Sequence, residues 1–88
     1  MNHYQKRADA LYAALVAQET TADHDQLFFC SYLLGHVSLI STEQGDSALQ
    51  FEQNLQHSLD AAFQVDRLSE QDKAAIIDLR DTLLACAN

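Results

Sequence analysis

A histidine set among hydrophobes is the residue of this chain best placed to do chemistry. His36 lies in the run Asp25 to Ile40, DQLFFCSYLLGHVSLI, with Tyr32 four residues before it and Ile40 four after. At helical i, i+4 spacing Tyr32 sits one turn away, near enough to stack on the imidazole or donate to it. Burial disfavours the imidazolium, so a histidine held this way has its pKa lowered, one route to a functional group. The same setting suits a core histidine hydrogen-bonded to a tyrosine or a backbone group, the commoner use of such a residue. A phosphoryl-carrying histidine needs an exposed face near a lysine, and this region has no basic residue.

Other chemistry-bearing patterns are missing. The sequence has no HExxH, no clustered Cys/His set, no phosphate-cradling glycine loop and no Ser/His/Asp spacing. Asp23-His24-Asp25 invites a cation-site reading, but it lacks the glycine and distal glutamate of a calcium loop. Asp23 followed by Gln26 reads better as a capping box, with Asp25 adding negative charge to the first turn. No catalytic residue, cofactor or metal ligand is assigned.

The elements that carry these residues read as helices throughout. Proline is absent, glycine occurs twice, and 48% of the chain is hydrophobic. A chain of 88 residues has room for one domain and one core, with a stability on the order of 4–13 kcal/mol. The first helix is expected from about Asn2 to Glu19, with Tyr4, Ala8, Leu11, Tyr12, Leu15 and Val16 on its buried face. The second, Asp25 to Ile40, is apolar nearly all round, as a helix covered by several neighbours is. At about 24 Å it is too short to span a membrane. The third is expected over Ser47 to Gln64, after a break in which Gly45 takes a positive φ and Asp46 caps. Its apolar face holds Ala48, Phe51, Leu55, Leu59, Ala62 and Phe63. Ser69 with Asp72 caps the last, Glu70 to Cys86, whose apolar arc includes Ile76, Ile77, Leu79, Leu83, Leu84 and Cys86.

Short breaks between such elements predict an all-α fold, a small antiparallel four-helix bundle with the second helix central. His3 and His57 fall on solvent-facing positions. Lys73 and Arg80 fall inside the last helix's apolar arc, where their stems cover the core while their heads reach water. Alternatively, Arg80 meets a carboxylate across the bundle, such as Glu52. Opposite His36 on the second helix runs a strip of small residues, Ser31, Gly35, Ser38 and then Thr42. Small side chains let another backbone approach, from within the bundle or from a second copy of the chain. The strip serves equally as a plain solvent edge.

Net charge is −8, and its distribution matters more than its total. From Ala8 through Asp66 there are nine acidic residues and no lysine or arginine. Phosphate binding draws on Lys and Arg, so nucleic acid and anionic membranes are disfavoured as partners. A basic partner is the side that charge leaves open, while ordinary acidic solubility accounts for the same composition. Cys30 and Cys86 form no disulfide framework, and the apolar positions after Lys6 and Arg7 are interrupted by Asp9 and Gln18, unlike a signal peptide. A reduced, cytoplasmic protein is expected.

The segment Asp25-Gln26-Leu27-Phe28, followed by Ser31-Tyr32-Leu33-Leu34-Gly35-His36-Val37, resembles the D-E-L-F…G-Y-L-R-G-H-L pattern of the YfcL-like family. The start of the last helix, Ser69-Glu70-Gln71-Asp72, is similar to that family's S-x-x-D. The resemblance runs from the second helix to the end and is weaker before it. Leu34 stands where the pattern has an arginine, so any charged contact made there is not carried over. The resemblance implies a small, acidic, helical gamma-proteobacterial protein and supplies no catalytic residue. Two functions of different class follow from the residues themselves. One is a small acidic protein-interaction module without catalytic activity. The other is a small-molecule-binding or enzymatic domain using a pocket around His36 and Tyr32. Candidate interaction or pocket residues are Ser31, Tyr32, Gly35, His36 and Ser38.

Overall fold

Each of the helices begins where a short polar side chain closes its first turn. The computed structural model describes residues 2–86 and contains α1 (His3–Glu19), α2 (His24–Ser41), α3 (Ala48–Val65) and α4 (Glu70–Cys86). The side chains of Asn2, Asp23 and Ser47 accept from the backbone N–H three residues on, at 2.9 to 3.0 Å. Ser69 Oγ does the same for Asp72 N–H at 3.0 Å. These bonds satisfy N–H groups that a helix start otherwise leaves orphaned. The third cap is therefore Ser47, not Asp46. The backbone N–H of Asp46 donates to Gln50 Oε1 instead, so one position separates the expected cap from the actual one.

Gly45 also differs from expectation. Among the described residues no glycine has a positive φ. The glycine is required here for closeness: a Cβ on Gly45 would stand 2.7 Å from Tyr4 Cε2 and closer still to Cδ2. Asn2 Nδ2 donates to the Gly45 carbonyl at 2.9 Å, clasping the α2–α3 turn to the start of α1.

The helices run alternately up and down. Tyr4 Oη donates to the Ile40 carbonyl at 2.7 Å, tying the start of α1 to the end of α2. Gln5 Nε2 donates to the Ser41 carbonyl at 2.6 Å beside it. Tyr32 and His36 of α2 bond Asp66 and Ser58 respectively, which sets α3 antiparallel to α2. Arg7 Nη2 donates to the Leu84 carbonyl at 2.9 Å, placing the end of α4 at the start of α1. Helix α2 touches each of the other three, so it is central; α1 shares that position, and α3 and α4 rest on this pair far more than on each other. The molecule measures 35 × 29 × 18 Å with a radius of gyration of 12.4 Å, near the value of about 12 Å expected for a folded chain this long.

The core is a single cluster fed by one stripe from each helix: Tyr4, Ala8, Leu11 and Leu15; Cys30, Leu33, Val37 and Ile40; Phe51, Leu55 and Leu59; Ile76, Leu83 and Leu84. Tyr4 meets Phe51 edge to face with centroids 5.5 Å apart, an arrangement favoured by the ring quadrupoles. The core stripe of α1 is narrower than its periodicity implies. Tyr12 and Val16 sit 60° to 100° round from Leu15 and are exposed. In α4 the outlier is Cys86, also exposed. Both cysteines are free.

The basic side chains settle differently from one another. Lys73 reaches Glu70 one turn back at 3.4 Å, its head at the surface. Arg80 is more enclosed, bonding Gln56 of α3 and Asp81 Oδ1. Glu52 is met by Arg7 Nε at 3.3 Å and not by Arg80.

Candidate functional site

Helix α2 positions all five candidate residues, and it divides them between two faces. Tyr32 and His36 turn toward α3 and are half-buried, whereas Ser31, Gly35 and Ser38 are exposed. The strip is thus not a packing surface inside the bundle. A Cβ added at Gly35 would meet no atom within 4 Å.

On the α3 side, His36 Nδ1 and Ser58 Oγ share a hydrogen bond of 2.7 Å. The Tyr32 ring lies over the imidazole, centroids 5.0 Å apart and planes 35° from parallel. Tyr32 does not donate to His36; its hydroxyl donates to Asp66 Oδ2 at 2.7 Å. Phe63 flanks Tyr32 at 6.0 Å. Burial pushes the His36 pKa below its ordinary value of 6.5, and the Asp66 carboxylate opposes part of that shift. Burial first, then the bond to Asp66 and the carboxylate's charge, push the Tyr32 phenol up to about 12. Both groups are therefore neutral at pH 7.

A neutral imidazole on a serine hydroxyl is half of a nucleophilic arrangement. The other half is not assembled here. Asp66 is bonded by Tyr32 and does not orient the imidazole. Two surface clefts, of about 220 and 270 Å³, are lined respectively by Glu52, Gln53, Gln56, Arg80, Asp81 and Leu84, and by Gln18, Gln26, Phe29, Ala75, Asp78, Leu79 and Thr82. Neither reaches His36 or Tyr32. The histidine ties α2 to the body of α3 through Ser58, and the tyrosine ties it to the C-cap of α3 through Asp66. Among the described residues no cluster of three His, Cys, Asp or Glu could hold a metal ion, and no helix is long and apolar enough to cross a membrane.

The outward face of α2 holds what sequence reasoning missed. Leu27, Phe28 and Leu39 are 38%, 46% and 62% exposed. At 100° per residue they bracket Ser31, Gly35 and Ser38, so six residues form one outward surface with small side chains along its middle. The run's near-continuous apolarity reads as burial, whereas the fold fully covers the stripe of Cys30, Leu33, Val37 and Ile40 and only partly covers Phe29, Tyr32 and Leu34. The signal was the strip itself: large hydrophobes adjoining residues that face solvent must share that exposure. Asp66 and Ser58, the partners of Tyr32 and His36, carry no signal of their own, since their roles exist only once α3 packs on α2.

The fold and this surface define a small all-α bundle whose central helix displays an uncovered apolar face. The family model described as YfcL protein matches residues 2–85, and the chain belongs to that family. No curated protein and no solved structure matches the chain.

Proposed function

We propose that this chain is a small acidic protein-interaction module of the cytoplasm, working without catalysis, and that it recognises its partner through the outward face of α2. The observation that carries the reading is the exposure of Leu27, Phe28 and Leu39 together on one face. A fully buried side chain of this kind contributes about 1.5–3 kcal/mol, so covering three that stand about half exposed recovers roughly 2–4 kcal/mol. Clustered apolar exposure of this sort marks interaction surfaces. The packed and bonded state of His36, with neither cleft beside it, supports this reading over a pocket at His36 and Tyr32. Two free cysteines suit a reducing compartment.

The test is affinity capture from a native extract with the wild-type chain and with Gly35→Leu. A Cβ at this position would have no atom within 4 Å, and a leucine there would occupy the middle of the face. A protein retained by the wild type and lost with Gly35→Leu is expected. Identical sets of retained proteins would remove α2's outward face as the recognition surface.

A further inference from the structure

We infer that the occupant of α2's outward face is a basic amphipathic helix of another protein, laid along α2 with Lys or Arg near both of its ends. The inference rests on reading that face as the recognition surface and adds the chemistry of what covers it. The face is uncharged along its length, from Leu27 through Leu39. Beyond each end it is acidic: Asp23 and Asp25 at the start, Glu43 and Asp46 past the finish, all exposed. Asp25 and Glu43 are 18 positions apart, or about 27 Å at helical rise. No lysine or arginine lies on α2 or in either flanking connector. The nearest in sequence on the α1 side, Lys6 and Arg7, lie on α1, and Arg7 is engaged by Glu52 and the Leu84 carbonyl.

This charge pattern decides between occupants. A second copy would lay α2 on α2. In an antiparallel pair Asp25 then falls toward Glu43 of the other copy; in a parallel pair it falls toward the other Asp25. Either way acid meets acid, between chains of net charge −8. A helix with an apolar stripe of about four turns and cationic ends meets attraction at both ends instead. Ser31, Gly35 and Ser38 in the middle let its backbone come close, Gly35 having open space where a side chain would stand. An acidic or neutral stripe-bearing helix fits the middle but not the ends.

The experiment is selection of random 18-residue peptides on the full-length chain, followed by affinity measurement on wild type, Gly35→Leu and Leu39→Ala, with sedimentation of each. Leu39 is exposed, so its truncation leaves folding intact and backs up the glycine variant. Selected peptides are expected to carry Lys or Arg on both sides of an i, i+3, i+4, i+7 apolar stripe. They should bind Gly35→Leu at least tenfold more weakly, lose affinity on Leu39→Ala, and weaken several-fold as salt is raised. Selected peptides without net positive charge, binding indifferent to both variants, or no selected peptide at all would overturn the inference. A wild-type dimer that Gly35→Leu turns into a monomer would overturn it in favour of a second copy, while leaving the interaction reading standing. Failure of that broader reading shows separately, as unchanged extract capture by Gly35→Leu.

Discussion

Replacing each of the two glycines by alanine should move stability in opposite directions. Gly35 lies mid-helix on an open face, with nothing within 4 Å of where its Cβ would be. Alanine there gains helix propensity and lowers the unfolded chain's entropy, together about 1 kcal/mol. In a domain of 60–100 residues that raises Tm by about 4–8 °C. Gly45 is the reverse case. Its Cβ would run into the Tyr4 ring, which is buried at 1% exposure. The ring is held by its hydroxyl, which donates to the Ile40 carbonyl at 2.7 Å and accepts from Asn54 Nδ2 at 3.1 Å. Shifting it costs about 1–3 kcal/mol of overpacking, plus about 1 kcal/mol for weakened hydrogen bonds. Thermal and urea melts of the full chain read both changes, and the two variants, about 3–5 kcal/mol apart, should differ in Tm by roughly 10 °C or more at about 4–8 °C per kcal/mol. A Gly35→Ala chain less stable than wild type would mean that α2's outward face is covered within the fold. That result would refute the description of the face itself.

Three other outcomes follow from the same packing. The His36 imidazole should titrate below 6.5 by NMR, because burial outweighs the pull of Asp66, and its midpoint should fall further in Asp66→Asn. A depressed folded pKa places this group's stability above pH 6.5, with loss as pH falls from there toward the folded midpoint; a midpoint above 6.5 would contradict the half-buried placement. Spectrophotometric titration should find Tyr32 near 12 in wild type and lower in Asp66→Asn, where the charge that holds the phenol's proton is gone. Thiol labelling should be biphasic, with exposed Cys86 reacting fast and buried Cys30 slowly, its thiol pushed up by burial and by Glu19. Equal rates would place Cys30 outside the core.

What could be read from sequence was what acts locally. Asp23 and Ser69 announce their caps because the capping bond spans three residues and needs only the right oxygen. Asp46 and Ser47 both offer a capping oxygen side by side, and the final turn geometry selects Ser47. A positive φ is the common reason for a turn glycine; at Gly45 the reason is the Tyr4 ring, a contact across more than forty residues. The alternative of Arg80 meeting Glu52 fails because Arg7 holds that carboxylate, and partner choice across a bundle depends on helix rotation. Tyr12, Val16, Leu27, Phe28 and Leu39 show the deeper limit. Hydrophobic periodicity says that a side chain is suited to being covered, and does not say whether its own chain or another protein covers it.

Recognition through α2 requires its outward face to be open in the free chain and closed in the complex. Hydroxyl-radical footprinting of Phe28 and Leu39, alone and with the partner captured from extract, measures this directly. Both side chains should be oxidised readily in the free chain and protected once the partner binds. Unchanged oxidation of both on binding, with protection appearing elsewhere on the bundle, would contradict the account.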